Sequence, residues 1–140
     1  MGISTKQLAD MYRRMGYPNP VQAACSPGGE PTNKYNVAPK DERTVDNIIF
    51  ASKREAYRYQ MLKVELQAGL ISDLKLQPKF EILPGLSPSC RPIYYVADFQ
   101  YVRDGAVIVE DVKGIETPVF KIKAKMFRAR YPELKLEVWK

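Results

Sequence analysis

Hydrophobic side chains recur at helical spacing in three stretches of the chain. The first, residues 4–15, predicts a short amphipathic helix. The second runs from Lys53 to Gln67, where Ser52 can cap the first turn and Gly69 ends the helix. The third, Pro118 to Tyr131, begins with proline, which is favoured in a first helical turn, and another proline follows it and blocks its continuation.

Short runs rich in β-branched and aromatic residues lie between and after these helices and predict strands. They span Val45 to Phe50, Leu74 to Leu83, Ile93 to Val102, Ala106 to Val112 and Leu134 to Trp139. Pro78 implies a sheet edge or a bulge in the second run. Asp104-Gly105 predicts a hairpin between the third and fourth runs. The core order of helix, three strands, helix and strand predicts an α/β sandwich, in which helices flank a small mixed sheet.

Proline and glycine are concentrated between Tyr17 and about Glu42, ahead of the predicted core. These residues break regular structure and leave little to bury, which predicts a linker or a mobile arm. We therefore divide the chain into an N-terminal helix and flexible arm, residues 1–33, and one globular domain, residues 34–140. A length of 140 residues fits a single domain with a substantial core.

Composition and charge narrow the class of protein. With 45% hydrophobic and 27% charged residues and no long apolar run, we expect a soluble globular protein that neither spans nor binds a membrane. The net charge of +6 favours polyanionic partners such as nucleic acid. The opening residues lack an apolar signal core. Cys25 and Cys90 lie in loop-like stretches without metal-binding spacing, which suggests a reducing, cytoplasmic setting.

The chain contains no histidine. This absence excludes nucleases that depend on histidine, serine and cysteine triads, and most zinc hydrolases. Any hydrolytic chemistry must therefore use carboxylates, lysine or a hard metal ion.

The fourth predicted strand ends in the charged sequence Glu110-Asp111-Val112-Lys113. Asp111 and Lys113 are two residues apart, so on an extended strand they share a face, and Glu110 points away from them. The hairpin brings Asp98 alongside Asp111, and two nearby carboxylates repel each other unless a cation lies between them. Such oxygen ligands suit Mg²⁺. The alternative is a solvated salt bridge at a sheet edge.

Glu55 also has two interpretations. The sequence Ser52-Lys-Arg-Glu55 is a capping box, which by itself explains a glutamate at this position. However, Glu55 also heads a helical stripe with Tyr59, Leu62 and Leu66 that should pack on the sheet. A carboxylate at the rim of a core requires a partner, so Glu55 is a second candidate for the metal site.

Together, Glu55, Asp98 and the Asp111-Val112-Lys113 segment resemble the signature of the PD-(D/E)xK nuclease superfamily. Within that superfamily, the chain resembles short phage-encoded proteins more closely, over roughly residues 34–139. The similar segments are SKREAYRYQMLKVELQAGLISDLKLQPKFEI, YYVADFQYVRDGAVIVEDVKG and TPVFKIKAKMF. The first motif usually has proline before its aspartate, whereas Ala97 precedes Asp98 here.

The resemblance implies a restriction-endonuclease-like core and a site that binds Mg²⁺ or Mn²⁺. Asp98 and Asp111 would bind the metal, with the Val112 carbonyl as a further ligand and Glu55 completing the shell directly or through water. Lys113 would orient or activate the attacking water. If the chain is phage-encoded, its compartment would be the host cytoplasm.

Further residues are candidates for binding DNA. Gln77 matches the related phage proteins, in which its strand borders the site, although a polar strand residue near a bulge explains it equally well. The sequence KIKAKMFRAR holds five basic residues and no acid, and Lys121, Lys125 and Arg128 fall on one helical face. This basic ridge would bind DNA phosphates independently of the base sequence. The alternative is a solvated helix surface. The neighbouring face is expected to be core and consists of Phe120, Ala124, Phe127 and Tyr131.

The resemblance, together with the basic surface, implies a divalent-metal-dependent endodeoxyribonuclease, a hydrolase of DNA phosphodiester bonds, acting on branched or structured DNA such as Holliday junctions. A nuclease that is sequence-specific or processes DNA ends remains an alternative, as does a non-catalytic DNA-binding protein or a subunit of a larger nuclease complex. A homodimer would provide the two cuts that a junction requires, and the N-terminal arm could bridge its subunits.

Overall fold

The structure, a computed structural model, describes residues 38–140 together with five residues of the N-terminal segment. Those five are Asp10, Met11, Arg13, Arg14 and Gly16. The first four are helical, which confirms that part of the helix predicted over residues 4–15. The rest of that helix and most of the predicted arm lie outside the described residues. Where the predicted arm ends, Asp41–Arg43 form a short 3₁₀-helix.

Two longer helices and eight strands follow within residues 38–140. The helices are α1 (Lys53–Gln67) and α2 (Pro118–Arg130); the strands are β1 (Thr44–Val45), β2 (Ile48–Ile49), β3 (Ser72–Leu76), β4 (Lys79–Leu83), β5 (Ile93–Val96), β6 (Phe99–Arg103), β7 (Ala106–Val112) and β8 (Lys135–Trp139). A four-stranded sheet has the order β3-β6-β7-β8, with β8 parallel to β7 and the other neighbours antiparallel. This mixed sheet with its helices confirms the predicted α/β class.

Helix α1 has the bounds that its caps predict. Ser52 caps its first turn, and Gly69 adopts a left-handed φ of +71° just beyond its end. The predicted buried stripe is wrong at its C-terminal end, because Leu66 is 40% exposed. Arg58 and Glu65 are buried instead. The surface of α1 that faces the sheet is therefore partly ionic.

Two predicted strands are wrong as single elements. The run from Leu74 to Leu83 divides into β3 and β4, and the run from Ile93 to Val102 divides into β5 and β6. Strands β4 and β5 pair with each other outside the four-stranded sheet. Pro78 therefore marks the break between two strands, where the sequence predicted an edge or a bulge within one.

The break is a bend shared by two neighbouring chain segments. Gln77, which precedes Pro78, has a left-handed φ of +47°. The Gln77 amide donates to the Asp98 carbonyl at 2.9 Å, and the Ala97 amide donates to the Pro78 carbonyl at 3.1 Å. Backbone hydrogen bonds thus continue across the bend while the strands leave the main sheet. Asp98 lies at this corner, between β5 and β6.

The tight turns follow local residue preferences. The predicted strand from Val45 to Phe50 is wrong, because Asp46 and Asn47 have φ values of +52° and +63° and make a hairpin of β1 and β2. Aspartate and asparagine tolerate this left-handed region better than other side chains. The hairpin predicted at Asp104-Gly105 is confirmed and joins β6 to β7.

Hydrophobic clusters cover both faces of the four-stranded sheet. The cluster against α1 includes Leu62, Phe99, Tyr101, Ile108 and Val112. The cluster against α2 includes Val109, Ala124, Phe127 and Leu136. Alternate residues of β7 thus face opposite helices. Among the described residues, no helix is long and apolar enough to cross a membrane.

Candidate metal centre

Asp111 and Lys113 meet at the C-terminal end of β7, as their two-residue spacing predicts. Lys113 Nζ lies 2.8 Å from Asp111 Oδ1, and Tyr95 Oη donates to Asp111 Oδ2 at 2.7 Å. Asp111 is only 2% exposed. Its Oδ1 is close enough to Lys113 for an ion pair but accepts no hydrogen bond of good geometry. The carboxylate therefore keeps one buried oxygen that could take a further partner.

Asp98 lies beside this pair because the β6–β7 hairpin fixes the register. Phe99 is opposite Glu110, and the Asp98 amide donates to the Glu110 carbonyl at 3.1 Å. Asp98 Oδ2 in turn accepts a hydrogen bond from the Val112 amide at 2.7 Å. The predicted approach of Asp98 to the end of β7 is thus present. Val112, whose carbonyl the resemblance implies as a ligand, contributes its amide to Asp98.

The electrostatics of Asp98 reflect a concentration of negative charge. Burial, reinforced by the charges of Asp111 and Glu55, raises the pKa of the Asp98 carboxyl to about 7. The Val112 amide and Lys113 oppose this shift but do not cancel it. A cation placed among these carboxylates would relieve the repulsion.

Lys113 is held as an ammonium group. Burial lowers its pKa, but the close contact with Asp111 and the charges of Asp111, Asp98 and Glu55 outweigh burial, so the net pKa lies above its ordinary value. At neutral pH, Lys113 is therefore a proton donor and a positive charge. It could act as a base only if a nearby cation lowered its pKa.

Glu55 forms the predicted capping box. Its amide donates to Ser52 Oγ at 3.1 Å, and its carboxylate accepts from Ser52 Oγ at 3.0 Å and from the Ala51 amide at 3.2 Å. Both carboxylate oxygens therefore have partners in the two residues that precede α1. Glu55 still contributes negative charge at Asp98, so its capping role and its place near the site coexist.

The candidate residues border two separate clefts. Glu55, Gln77 and Asp98 line a cleft of about 240 Å³ on the α1 side of the sheet. Asp111 and Lys113 line a second cleft of about 300 Å³ beside α2. The hydrogen bond from the Val112 amide to Asp98 joins the two sides. Gln77 thus lies next to Asp98, and its role as a DNA contact stays a prediction.

The side chain of Glu110 points away from Asp111, as predicted, but it is buried in an ionic network. Arg58 donates to both Glu110 oxygens, at 2.6 Å and 2.8 Å, and Tyr101 Oη donates to Oε2 at 2.7 Å. Arg58 also pairs with Glu65 at 3.1 Å. This network ties α1 to β7 on the face opposite Asp111. The sequence gives little signal for it, because charged helix residues are usually exposed.

Tyr95 is a site residue that the sequence patterns missed. Burial, followed by the hydrogen bond to Asp111, raises the pKa of Tyr95 above its ordinary value, so its hydroxyl remains a donor. This hydroxyl fixes one oxygen of Asp111 and leaves the other toward Lys113. The β-branched and aromatic residues of IYYV predict a strand, but no local pattern shows that Tyr95 reaches a carboxylate in another strand.

The basic ridge of α2, formed by Lys121, Lys125 and Arg128, is exposed. The neighbouring face of α2 is core, as predicted, with Ala124 and Phe127 buried. Arg128 also acts electrostatically on Tyr95, which links the ridge to the end of the site that contains Asp111. The exposure of the ridge is confirmed, whereas its binding to DNA remains a prediction.

The donor groups fit a hydrated hard cation better than a closed cage. Among the described residues, no three His, Cys, Asp or Glu side chains form a preassembled metal cluster. Mg²⁺, however, is usually bound by one or two carboxylates and keeps several waters. Asp98 and Asp111 supply those carboxylates, and the buried Asp111 Oδ1 lacks a hydrogen bond. These residues therefore fit Mg²⁺ or Mn²⁺, without Glu55 as an obligatory ligand.

We expect Asp98→Asn to stabilise the metal-free protein at about pH 8 by about 1 kcal/mol, or about 4 °C in melting temperature. The substitution removes a charge that Asp111 and Glu55 disfavour, while the amide oxygen can still accept from Val112. The folded-state pKa of Asp98 is raised from 3.8 to about 7, so the cost of ionisation grows as the pH rises through that window. The gain should therefore be smaller at about pH 5 than at about pH 8.

Calorimetry in a chelator at both pH values tests this expectation. Glu133→Gln is the matched control. Glu133 is exposed, so this substitution removes a carboxylate charge from the surface and should change the melting temperature little at either pH. A destabilised Asp98→Asn protein at the higher pH, or an equal gain at both pH values, would contradict it.

Comparison with known proteins places the chain in a family. Residues 32–140 match the model of the family described as "Protein of unknown function (DUF1064)", and the chain belongs to that family. Neither a curated protein nor a solved structure matches the chain. The family description names no activity, ligand or partner.

Proposed function

We propose that the chain is a Mg²⁺- or Mn²⁺-dependent endodeoxyribonuclease of the PD-(D/E)xK superfamily, which hydrolyses phosphodiester bonds in branched or structured DNA. The observation that carries this proposal is the meeting of Asp98, Asp111 and Lys113 at the end of β7. The Val112 amide binds Asp98 at 2.7 Å, and Lys113 Nζ lies 2.8 Å from a buried Asp111 oxygen. The resemblance to the PD-(D/E)xK superfamily implies two acidic groups that hold a metal ion and a lysine beside the attacking water, and Asp98, Asp111 and Lys113 supply these groups.

The reaction adds water to the phosphorus atom and breaks one P–O bond, leaving a phosphate on one fragment and a hydroxyl on the other. Asp98 and Asp111 would hold the metal ion, which supplies positive charge next to the scissile phosphate when bound. Lys113 would donate hydrogen bonds to the attacking water or to a phosphate oxygen, since its raised pKa keeps it protonated. Tyr95 would keep Asp111 in position.

Binding of the DNA backbone is assigned to the basic ridge of α2. Lys121, Lys125 and Arg128 are exposed, and Arg128 acts electrostatically on Tyr95 near the site. Lysine and arginine bind phosphates in a salt-dependent way without reading bases. A surface of this kind suits recognition of DNA by shape, which supports branched substrates such as four-way junctions.

The proposal is tested with purified protein and four DNA substrates: a four-way junction, a flap, a linear duplex and a single strand. Each is incubated with Mg²⁺, Mn²⁺ or EDTA. We expect the junction and the flap to be cut in either metal and no substrate to be cut in EDTA. If no DNA is cut under any condition, the chain is not a nuclease by itself.

A calorimetric titration with Mg²⁺ distinguishes a metal-dependent nuclease from a non-catalytic DNA-binding protein. Mg²⁺ should bind the wild-type protein and bind Asp111→Asn at least about tenfold more weakly, because the variant removes one carboxylate charge. Binding of DNA without cleavage, in a protein that also fails to bind metal, would favour a non-catalytic DNA-binding module instead.

A further inference from the structure

The cleft beside α2 has an ionic end and an apolar end. Asp111 and Lys113 form the ionic end, next to the proposed metal site. The apolar end is lined by Val96 from β5, Ile115 from the β7–α2 loop, and Val119 from the first turn of α2. The cleft thus continues directly from the groups proposed to act on the scissile phosphate.

The apolar walls of this cleft are unusually exposed. Ile115 is 82% exposed and Val119 is 63% exposed, and Val96 is also open to solvent. Adjacent exposed apolar side chains that border a concave surface are typical of binding sites. The hydrophobic cluster against α2 is complete without Ile115 and Val119, so these side chains are not required by the described core.

Charge and size limit what the cleft can hold. Apart from the buried Asp111 and Tyr95, the ionisable groups that line it are Lys113 and Lys123, both of which suit neighbouring phosphates. Lys123 also donates to the Tyr94 carbonyl at 3.2 Å, which keeps its ammonium group at the cleft wall. A volume of about 300 Å³ lies at the lower end of small-ligand sites. It suits a single base and sugar, whereas a stacked base pair is too wide.

We propose that this apolar cleft binds one unpaired nucleobase adjacent to the scissile phosphate. The inference rests on the proposed nuclease function and deepens it, because it names the substrate feature that the site selects. Branch points, bulges and flaps present unstacked bases, whereas a continuous duplex must first break a base pair to do so. The cleft would therefore favour structured DNA through contact with a base, in addition to the sequence-independent contacts of the basic ridge.

A binding experiment without cleavage tests the proposal. The probes are two duplexes of the same sequence, each carrying 2-aminopurine, which is an unpaired bulge in one and fully paired in the other. In Ca²⁺, the wild-type protein should bind the bulged duplex about tenfold more tightly and change its fluorescence. The double variant Ile115→Ser/Val119→Ser should lose that preference and retain its affinity for the paired duplex.

The matched control is Ile122→Ser. Ile122 is 62% exposed on the same helix but does not line the cleft, so its replacement should leave the preference intact. Equal wild-type binding of both duplexes, or a preference that survives the double substitution, would overturn the inference. A wild-type dimer that the double variant dissociates would also overturn it, because a second chain would then cover this face.

The outcomes also separate this inference from the nuclease proposal. Metal-dependent cleavage without any preference for the bulged duplex overturns the base-binding role and leaves the nuclease proposal intact. Failure to bind either duplex, together with failure to cut any DNA, overturns both.

Discussion

Lys113→Ala should lower the rate of DNA cleavage at least about 100-fold while DNA binding in Ca²⁺ remains largely intact. Lys113 is the ammonium group nearest to Asp111, and the proposed DNA-binding ridge lies on another element. The Lys113→Ala substitution therefore removes a hydrogen-bond donor at the reacting phosphate but leaves most of the proposed contacts with the DNA backbone. Cleavage is measured under single-turnover conditions, and binding by fluorescence anisotropy. Asp111→Ala should show the same separation of cleavage from binding.

Lys135→Ala provides the matched control. Lys135 pairs with Glu137 at 2.8 Å on β8, and the two residues have the same spacing as Asp111 and Lys113. That pair is more exposed and lines neither cleft, so its loss should change cleavage less than about twofold. Asp111→Asn is measured beside Asp111→Ala. Its amide oxygen can still accept the hydrogen bond from Tyr95, so it should fold even if Asp111→Ala does not. Full activity in the Lys113 or Asp111 variants would remove the proposed site.

Glu110→Ala should destabilise the protein by about 3–5 kcal/mol, the largest effect on stability that we expect from a single charged residue. Glu110 accepts hydrogen bonds from Arg58 and Tyr101. Its truncation leaves the buried guanidinium of Arg58 with Glu65 as its remaining ion-pair partner among the residues of this network. Denaturant unfolding followed by circular dichroism measures the change. Since α1 carries Glu55 and β7 carries Asp111, loosening this link should also disturb the site.

Two comparisons make the result specific. Glu137 is the register neighbour of Glu110 on β8 but pairs with Lys135 near the surface, so Glu137→Ala should cost less than about 1 kcal/mol. The double variant Arg58→Leu/Glu110→Leu should recover most of the stability, because apolar side chains can replace a buried ion pair. A Glu110→Ala protein as stable as the wild type would show that the network contributes little.

Much of the fold follows from signals that act over a few residues. The bounds of α1 were predicted because Ser52 and Gly69 are local caps, and the β6–β7 hairpin because Asp104-Gly105 favours left-handed φ values. The approach of Asp98 to Asp111 followed from that hairpin and the period of two along a strand. These features need no knowledge of distant parts of the chain.

The features that sequence patterns missed depend on contacts between distant segments. Gln77 has a left-handed φ, although glutamine has no special preference for it, so the bend between β3 and β4 could not be predicted locally. The burial of Arg58 depends on Glu110, which lies 52 residues away. Tyr95 likewise reaches Asp111 across the fold. These three features depend on hydrogen bonds and ion pairs between residues that are far apart in the sequence, so local patterns do not predict them.

A one-residue change in the register of strand β7 would be unusually harmful to the protein. Glu110 and Asp111 are consecutive carboxylates with opposite surroundings: one lies against Arg58, and the other against Tyr95 and Lys113. Deleting a single residue of β7 before Glu110 would move both carboxylates to the opposite face of the sheet, placing Asp111 on the α1 side and Val112 at the cleft that Asp111 lines. Short deletions here should therefore be far more harmful than insertions in the Gly85–Pro92 loop, where no such alternation exists.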